Sequence, residues 1–379
     1  MAEVRRQPFL GLEKAASSDE RASEANPERL LVTTIGITTT VPVEVLLAAG
    51  LTPVDLNNLF ISDPDPERLV TIAERDGFPM NCCTWIKGMY GVCVERGIDT
   101  VLCVTTGDCS NTVMLMEVLK LRGLNVVPFA YPDHQDVSAM QDMLEALASA
   151  LGTTVEAAEK VRDKLDAARV LADDVDRLTW RDGLVSGWEN HYWLVSTSDF
   201  LGDHEEYERG LAALLHEAGG RKPYSDTMLR LAYVGVPSVF GKDLYRFVES
   251  QEARVVLNEI QRQFAMPNRG SCLAEQYTHY TYPYSVSDRL NDIIPQLGLR
   301  RVDGVIHYVQ AFCHRGIGDI IFRRRIDLPM LTLEGNNEYL LTQHLQTRVE
   351  AFVDMIKRRR SGKGGASVSS RRAAAGGPM

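Results

Sequence analysis

No run of about 18 uninterrupted apolar residues occurs, so no segment is suited to cross a bilayer as a helix. The opening Met1-Ala2-Glu3-Val4-Arg5-Arg6 lacks the apolar core of a signal peptide, and a soluble, cytoplasmic protein with no membrane partner is expected. Positive charge is not in surplus. At a net charge of -10 the chain has no general attraction for nucleic acid, and none is expected as a partner. The short paired Cys and His spacings of zinc modules are missing, as is any Gly-Lys-Ser/Thr phosphate loop. Seven cysteines without a secretion signal argue against a disulfide framework, which leaves metal ligation, catalysis or core packing.

What is present is a cysteine-rich stretch between Asn81 and Lys120. Five of the seven cysteines fall between Cys82 and Cys109. Cys109 follows the apolar run Val101 to Val104, which reads as a buried parallel strand, and precedes Asn111 to Leu121, which suits a packed helix. At such a strand-to-helix turn, backbone N–H groups and the helix dipole stabilise thiolates and the clusters they hold.

A hydrophobic content of 45% over 379 residues can bury a full core and suggests two domains. Residues 1–28 are polar and predict a loose arm. From Leu31 the pattern is strand (to Ile37), a Thr38-Thr39-Thr40 loop, helix (Val43 to Ala49) and strand (Pro53 to Leu56), a βαβ unit. Helices over Glu67 to Arg75 and Cys83 to Arg96 follow, then the strand ending at Val104 and another over Asn125 to Ala130. This alternation predicts a doubly wound parallel sheet over 29–135.

Between 136 and 222 helical periodicity replaces the strand signal, with the box Thr153-x-x-Glu156 opening one helix. From 223 to 357 the first plan repeats: strand Arg230 to Gly235, helix Lys242 to Ser250, then strands Arg254 to Leu257, Gly304 to Gln310 and Leu328 to Leu333. Gly36 precedes Cys109 by nearly the interval that separates Gly235 from Cys313. The expected fold class is therefore α/β, with two flavodoxin-like doubly wound parallel-sheet lobes and a helical insertion. Seven basic residues and no acidic one follow Asp354, and 358–379 reads as a disordered basic tail.

Several separated pieces resemble the 2-hydroxyacyl-CoA dehydratase and benzoyl-CoA reductase superfamily over about residues 30–357. Pro42-Val43-Glu44 through Pro53-Val54 is similar to its first helix and strand. Cys83-Thr84-Trp85-Ile86-Lys87 resembles its first cysteine motif, Asp99-Thr100-Val101 leading to Cys109 its second, and Asp303-Gly304-Val305-Ile306 leading to Phe312-Cys313 its third. Leu328 to Glu334 and Gln346 to Phe352 look like its closing strand and helix.

The resemblance implies that Cys83, Cys109 and Cys313 hold a [4Fe-4S] cluster between the lobes, leaving one iron open to water or a thioester carbonyl. Soft thiolates and an open position suit such a centre. It further implies an ATP-hydrolysing iron–sulfur activator that injects one low-potential electron, an acyl-CoA substrate dehydrated through a ketyl radical, and a homodimer or a heterodimer with a related subunit. Cys82 and Cys272 open an alternative. One branch of the superfamily carries an [8Fe-9S] double-cubane cluster, which needs about six thiolates and serves an ATP-coupled reductase of small molecules. A non-catalytic electron-transfer subunit is the reading from a different class.

Cys93 and Cys103 read as core filler. His314 is a weak catalytic candidate, able to bond a cluster sulfur or donate a proton, or else a structural group. Thr39, with Thr38 and Thr40, lines the crevice or caps the next helix. Lys87 and Arg348 offset an anionic cluster or lie on solvated helix faces. Tyr277, His279, Tyr280, Tyr282 and Tyr284 wall a pocket or form a surface loop packed by its own rings.

Overall fold

The computed structural model describes residues 33–336 and 339–369. The expected N-terminal arm, Leu31, and residues 370–379 of the expected tail lie outside the described residues; a closing helix, Gln343–Ser369, carries the chain into the basic stretch. Among the described residues no helix is long and apolar enough to cross a membrane.

Among the described residues eight strands form two sheets, parallel throughout. In chain order they are β1 (Thr33–Ile37), β2 (Leu51–Asp55), β3 (Thr100–Thr106), β4 (Asn125–Ala130), β5 (Leu229–Gly235), β6 (Ala253–Asn258), β7 (Gly304–Gln310) and β8 (Met330–Gly335). The first sheet is ordered β2-β1-β3-β4 and the second β6-β5-β7-β8, the same pattern twice. It is the order of the first four strands of a flavodoxin-like sheet. The fold is thus α/β with two parallel-sheet lobes. Every residue of β6 and β7 is buried, as helices on both faces of a parallel sheet require. The strand prolines sit where a lost N–H is cheap: Pro53 and Pro128 both lie in edge strands of the first sheet.

The chain gathers into two compact units. Of the described residues, one unit contains 33–171 together with Val195–Ala212 and Gln263–Ser285; the other contains Ala172–Leu194, Ala213–Arg262 and those from Val286 to Ser369.

In the first unit the helix Thr84–Arg96 is buried from Thr84 to Cys93 except at the half-buried Trp85, and packs against the helices Leu56–Ser62 and Pro66–Arg75. Gly91 makes that packing possible, because a Cβ there would run into the Leu69 carbonyl. In the second unit the helix Val286–Leu299 lays Leu290, Ile293 and Leu297 against Val234, Val256 and Val305 of the sheet.

The helices Asn111–Leu121 and Lys242–Ser250 match the sequence expectation, and the rest of the expected strands and helices shift by a few residues at most. Several helices were not expected: Leu56–Ser62, Glu259–Phe264, Leu273–His279, Val286–Leu299 and Asp319–Arg325. Leu56–Ser62 follows β2 at once, with the Asp55 carboxylate accepting from Asn57 N at 2.9 Å as its cap. The expected capping box also moves by one residue: Thr154, not Thr153, caps Val155–Arg177, its hydroxyl accepting from Ala157 N at 3.2 Å.

Candidate functional site

At the C-terminal edge of the first sheet, Thr38 is tied to β3. Its amide donates to the Leu102 carbonyl at 3.3 Å and its hydroxyl accepts from Val104 N at 3.1 Å. Asn57 donates to its carbonyl at 2.8 Å, and the Tyr131 hydroxyl donates to the Thr40 carbonyl at 2.9 Å. Thr38, Thr39 and Thr40 are all buried. They do not cap the following helix, whose first turn, after Pro42, has no side-chain cap.

β3 then delivers Gly107-Asp108-Cys109. Gly107 has φ +97°, and a Cβ there would come within 2.7 Å of Pro283 and 2.9 Å of Tyr131, so the loop lies flat against the segment that follows Cys272. Tyr282 donates to Asp108 at 2.8 Å and clamps the same loop. Cys109, half-buried, accepts from Thr112 N at 3.0 Å through its carbonyl, inside the turn that starts the helix Asn111–Leu121.

Cys83 is buried and stands as the N-cap residue of Thr84–Arg96, its carbonyl accepting from Lys87 N at 3.2 Å. Cys82 is half-buried; burial pushes its thiol up, while the charge of Lys87 pulls it down. Lys87 is not on a solvated face. Its side chain is 0% exposed and its ammonium donates to Glu74 at 2.7 Å and to the Met80 carbonyl at 3.3 Å. The reason is the packing just described, which covers this helix on more than one side.

Cys272, half-buried and extended, is the N-cap residue of the helix Leu273–His279 but makes no side-chain cap bond, and Glu275 accepts from the Ser271 amide at 2.6 Å and the Ser271 hydroxyl at 2.8 Å. The aromatic segment after it is no surface loop: Tyr277, Tyr280, Tyr282 and Tyr284 are buried, and only His279 is exposed. Cys93 and Cys103 are core residues. Burial pushes both thiols up to about 12, Cys93 with a further contribution from Cys103.

In the second unit Cys313 occupies the place that Cys109 has in the first. It follows β7, the strand equivalent to β3, and opens a 3-10 turn, His314–Gly318. Its amide donates to Gln310 O at 3.0 Å and its carbonyl accepts from Gly316 N at 3.1 Å. Cys313 is half-buried and His314 exposed. Arg348 is half-buried, donating to the Thr332 carbonyl of β8 at 2.7 Å.

Two polar nodes of the first unit were not expected. The fully buried Glu44 carboxylate accepts from Arg169 (2.6 Å), Tyr277 (2.6 Å) and Gln276 (2.9 Å). Burial raises its pKa, but the Arg169 charge and the Tyr277 hydroxyl outweigh that and hold it below the usual range. The signal was visible as an acidic residue in an otherwise apolar first turn, Val43-Glu44-Val45-Leu46. The other node pairs Asp55 with Asp199, the Asp55 amide donating to Asp199 Oδ2 at 2.8 Å. Nothing local announces it, since 144 positions separate the partners.

Two like parallel sheets, each releasing a cysteine turn from its third strand in spatial order, define the class of α/β proteins to which the chain is compared. The family model described as 2-hydroxyglutaryl-CoA dehydratase, D-component, matches residues 38–356, and the chain belongs to that family. No curated protein matches it. The family is known for iron–sulfur cofactors, for dehydratase-type activity and for an activator partner.

Proposed function

We propose that the chain is an iron–sulfur subunit of a 2-hydroxyacyl-CoA dehydratase-type lyase, with a [4Fe-4S] cluster held by Cys83, Cys109 and Cys313 and charged by an ATP-hydrolysing activator. The observation that carries this reading is the repeated position of Cys109 and Cys313, each in the first turn beyond the equivalent strand of a sheet with the same strand order.

Among the described residues no three His, Cys, Asp or Glu side chains converge as the ligands of one metal ion do. A cubane asks for something else, one soft thiolate at each of several iron corners. The donor set fits that demand: three thiols outside the strands, at turns where backbone N–H groups begin a helix, while the two thiols that burial keeps protonated stay in the core. When bound, the cluster supplies a one-electron relay and an iron open to a substrate oxygen. The chain's own part is positional. Tyr282 and Gly107 fix the Cys109 turn, the threonine loop lines the same sheet edge, and Pro42, Glu44 and Arg169 anchor the helix behind it.

A second reading, the double-cubane reductase, is favoured by Cys82 and Cys272, both half-buried outside regular strands. Iron and acid-labile sulfide analysis of anaerobically purified protein separates the two: about four irons per chain for the lyase, about eight for the reductase. A colourless, iron-free preparation refutes both. The same measurement on Cys272→Ser decides the role of that thiol, because a single cubane survives its loss. The electron-transfer subunit is excluded if added acyl-CoA perturbs the cluster spectrum.

A further inference from the structure

Within the second unit, the residues around Cys313 show more oil to solvent than a strand end needs. Phe312, immediately before the cysteine, is 52% exposed and adopts φ +63°, a left-handed conformation costly for a residue with a Cβ. Beyond the cysteine, Ile317 is 73% and Ile320 57% exposed, and Ile321 is exposed as well. Ile317, Ile321 and Arg324 follow one another at the four- and three-residue spacing of a single helical face, while Phe322 and Ile326 turn inward to the core. Folding alone gives no reason for this face, because the helix is already anchored by its buried side.

Charge surrounds the apolar centre. Between Phe312 and Asp327 stand four arginines (Arg315, Arg323, Arg324, Arg325) against two aspartates, in a chain whose net charge is -10. Asp319 is already engaged by His307 at 2.7 Å and by Arg323 at 2.6 Å, so the cationic excess at the surface is carried by Arg324 and Arg325, both exposed. An aromatic and aliphatic centre with an arginine rim and no lysine is the composition of a protein interface. Transient redox encounters use small patches of this kind, with the rim steering the approach.

We propose that the face formed by Phe312, Ile317, Ile320 and Ile321, rimmed by Arg324 and Arg325, is where an acidic electron-donating iron–sulfur protein docks. This rests on the function proposed above, since it places the donor beside one of the cluster's thiolates. One electron leaves the donor's reduced cluster and enters the iron–sulfur group of this chain; no covalent bond changes.

The probe is the ATP-hydrolysing activator of a 2-hydroxyglutaryl-CoA dehydratase, offered to the anaerobically purified full chain. Binding followed by interferometry should weaken at least about tenfold between low and high salt, as screening of a charged rim demands. Arg324→Glu with Arg325→Glu should slow association about tenfold, and Ile317→Ser with Ile320→Ser should speed dissociation, at unchanged melting temperature. Reduction of each variant by titanium(III) citrate, which needs no docking, should match wild type. Binding indifferent to both pairs of substitutions, or no binding at any salt, overturns the proposal. So does a wild-type dimer that the Ile317→Ser, Ile320→Ser protein loses while still binding the activator, which would make the face an interface between copies. Iron analysis run in parallel keeps the two ideas apart: salt-dependent binding lost in the variants supports the docking face even if the chain proves iron-free.

Discussion

Replacing Asp199 by Asn tests the least expected polar contact in the molecule. Asp55 and Asp199 are buried side by side, with the Asp55 amide on Asp199 Oδ2 and the Leu201 amide on Oδ1. Burial first, and the Asp55 charge second, push the Asp199 carboxyl up to about 7; burial also raises Asp55, against the pull of Ser198 and Asn57. Two carboxylates in such a place cannot both ionise cheaply. In the unfolded chain Asp199 titrates near 3.9, so between about pH 4 and about pH 7 the folded state holds a proton that the unfolded state has lost. Stability contributed by that proton is complete below about pH 4 and disappears as the pH rises through about 7. The gap corresponds to at most about 4 kcal/mol, with a slope no steeper than about 1.4 kcal/mol per pH unit.

Asparagine is neutral at every pH but can accept only one of the two amide bonds well, a loss of about 1–2 kcal/mol. The variant should therefore be less stable than wild type at pH 5 and equal or more stable at pH 8, and the two curves should cross. Urea denaturation of the metal-free chain at intervals across that range is the assay. Parallel curves, with a difference independent of pH, would falsify the shared-proton argument.

Three further outcomes follow from the packing. Glu44→Gln leaves the Arg169 guanidinium buried without its countercharge and should cost about 3–5 kcal/mol in a denaturant titration; because the Glu44 pKa is lowered, wild type should lose this advantage as the pH falls through its folded value, below the ordinary 4.3 or so. Gly107→Ala meets both a positive φ and the Pro283 and Tyr131 side chains, and should cost about 1–3 kcal/mol and lower the iron bound by anaerobically purified protein. Cys93→Ala and Cys103→Ala should each cost about 1–2 kcal/mol in thermal melts but leave iron content at the wild-type level, whereas Cys83→Ser, Cys109→Ser and Cys313→Ser should reduce it.

The strands were legible because parallel strands covered on both faces read as unbroken apolar runs, and Val101 to Val104 or Gly304 to Gln310 permit little else. That the chain holds two similar lobes could be inferred from the spacing of Gly36, Cys109, Gly235 and Cys313, whereas the strand order could not. The helix Leu56–Ser62 was hidden because Asp55, Asn57 and Asn58 resemble a turn, and the Asp55 side chain that caps the helix looks the same in sequence as one that ends a strand. Lys87 misled for a related reason. A lysine on a helix is usually solvated, and only the close approach of neighbouring helices, allowed by Gly91, takes this one out of water. The return of Gln263–Ser285 to the first unit, and with it the burial of Tyr277 and Tyr280, depends on contacts far apart in sequence that periodicity does not encode.

The seven thiols sort by environment, and that sorting bears on how many irons the chain can hold. Cys93 and Cys103 are buried in the core, where ionisation is disfavoured, and we propose that the ligands are drawn from the other five. On that sorting, a double cubane that needs about six thiolates would fall short of thiols in this chain. It would require another donor, from a side chain such as the exposed His314 or from a second chain. A single cubane needs three and leaves Cys82 and Cys272 over. Cys82 is adjacent to Cys83 but differs from it in burial, and the charge of the fully buried Lys87 acts on its thiol. The cysteine arithmetic alone allowed either cluster; the burial of two of the seven tilts it toward the smaller one.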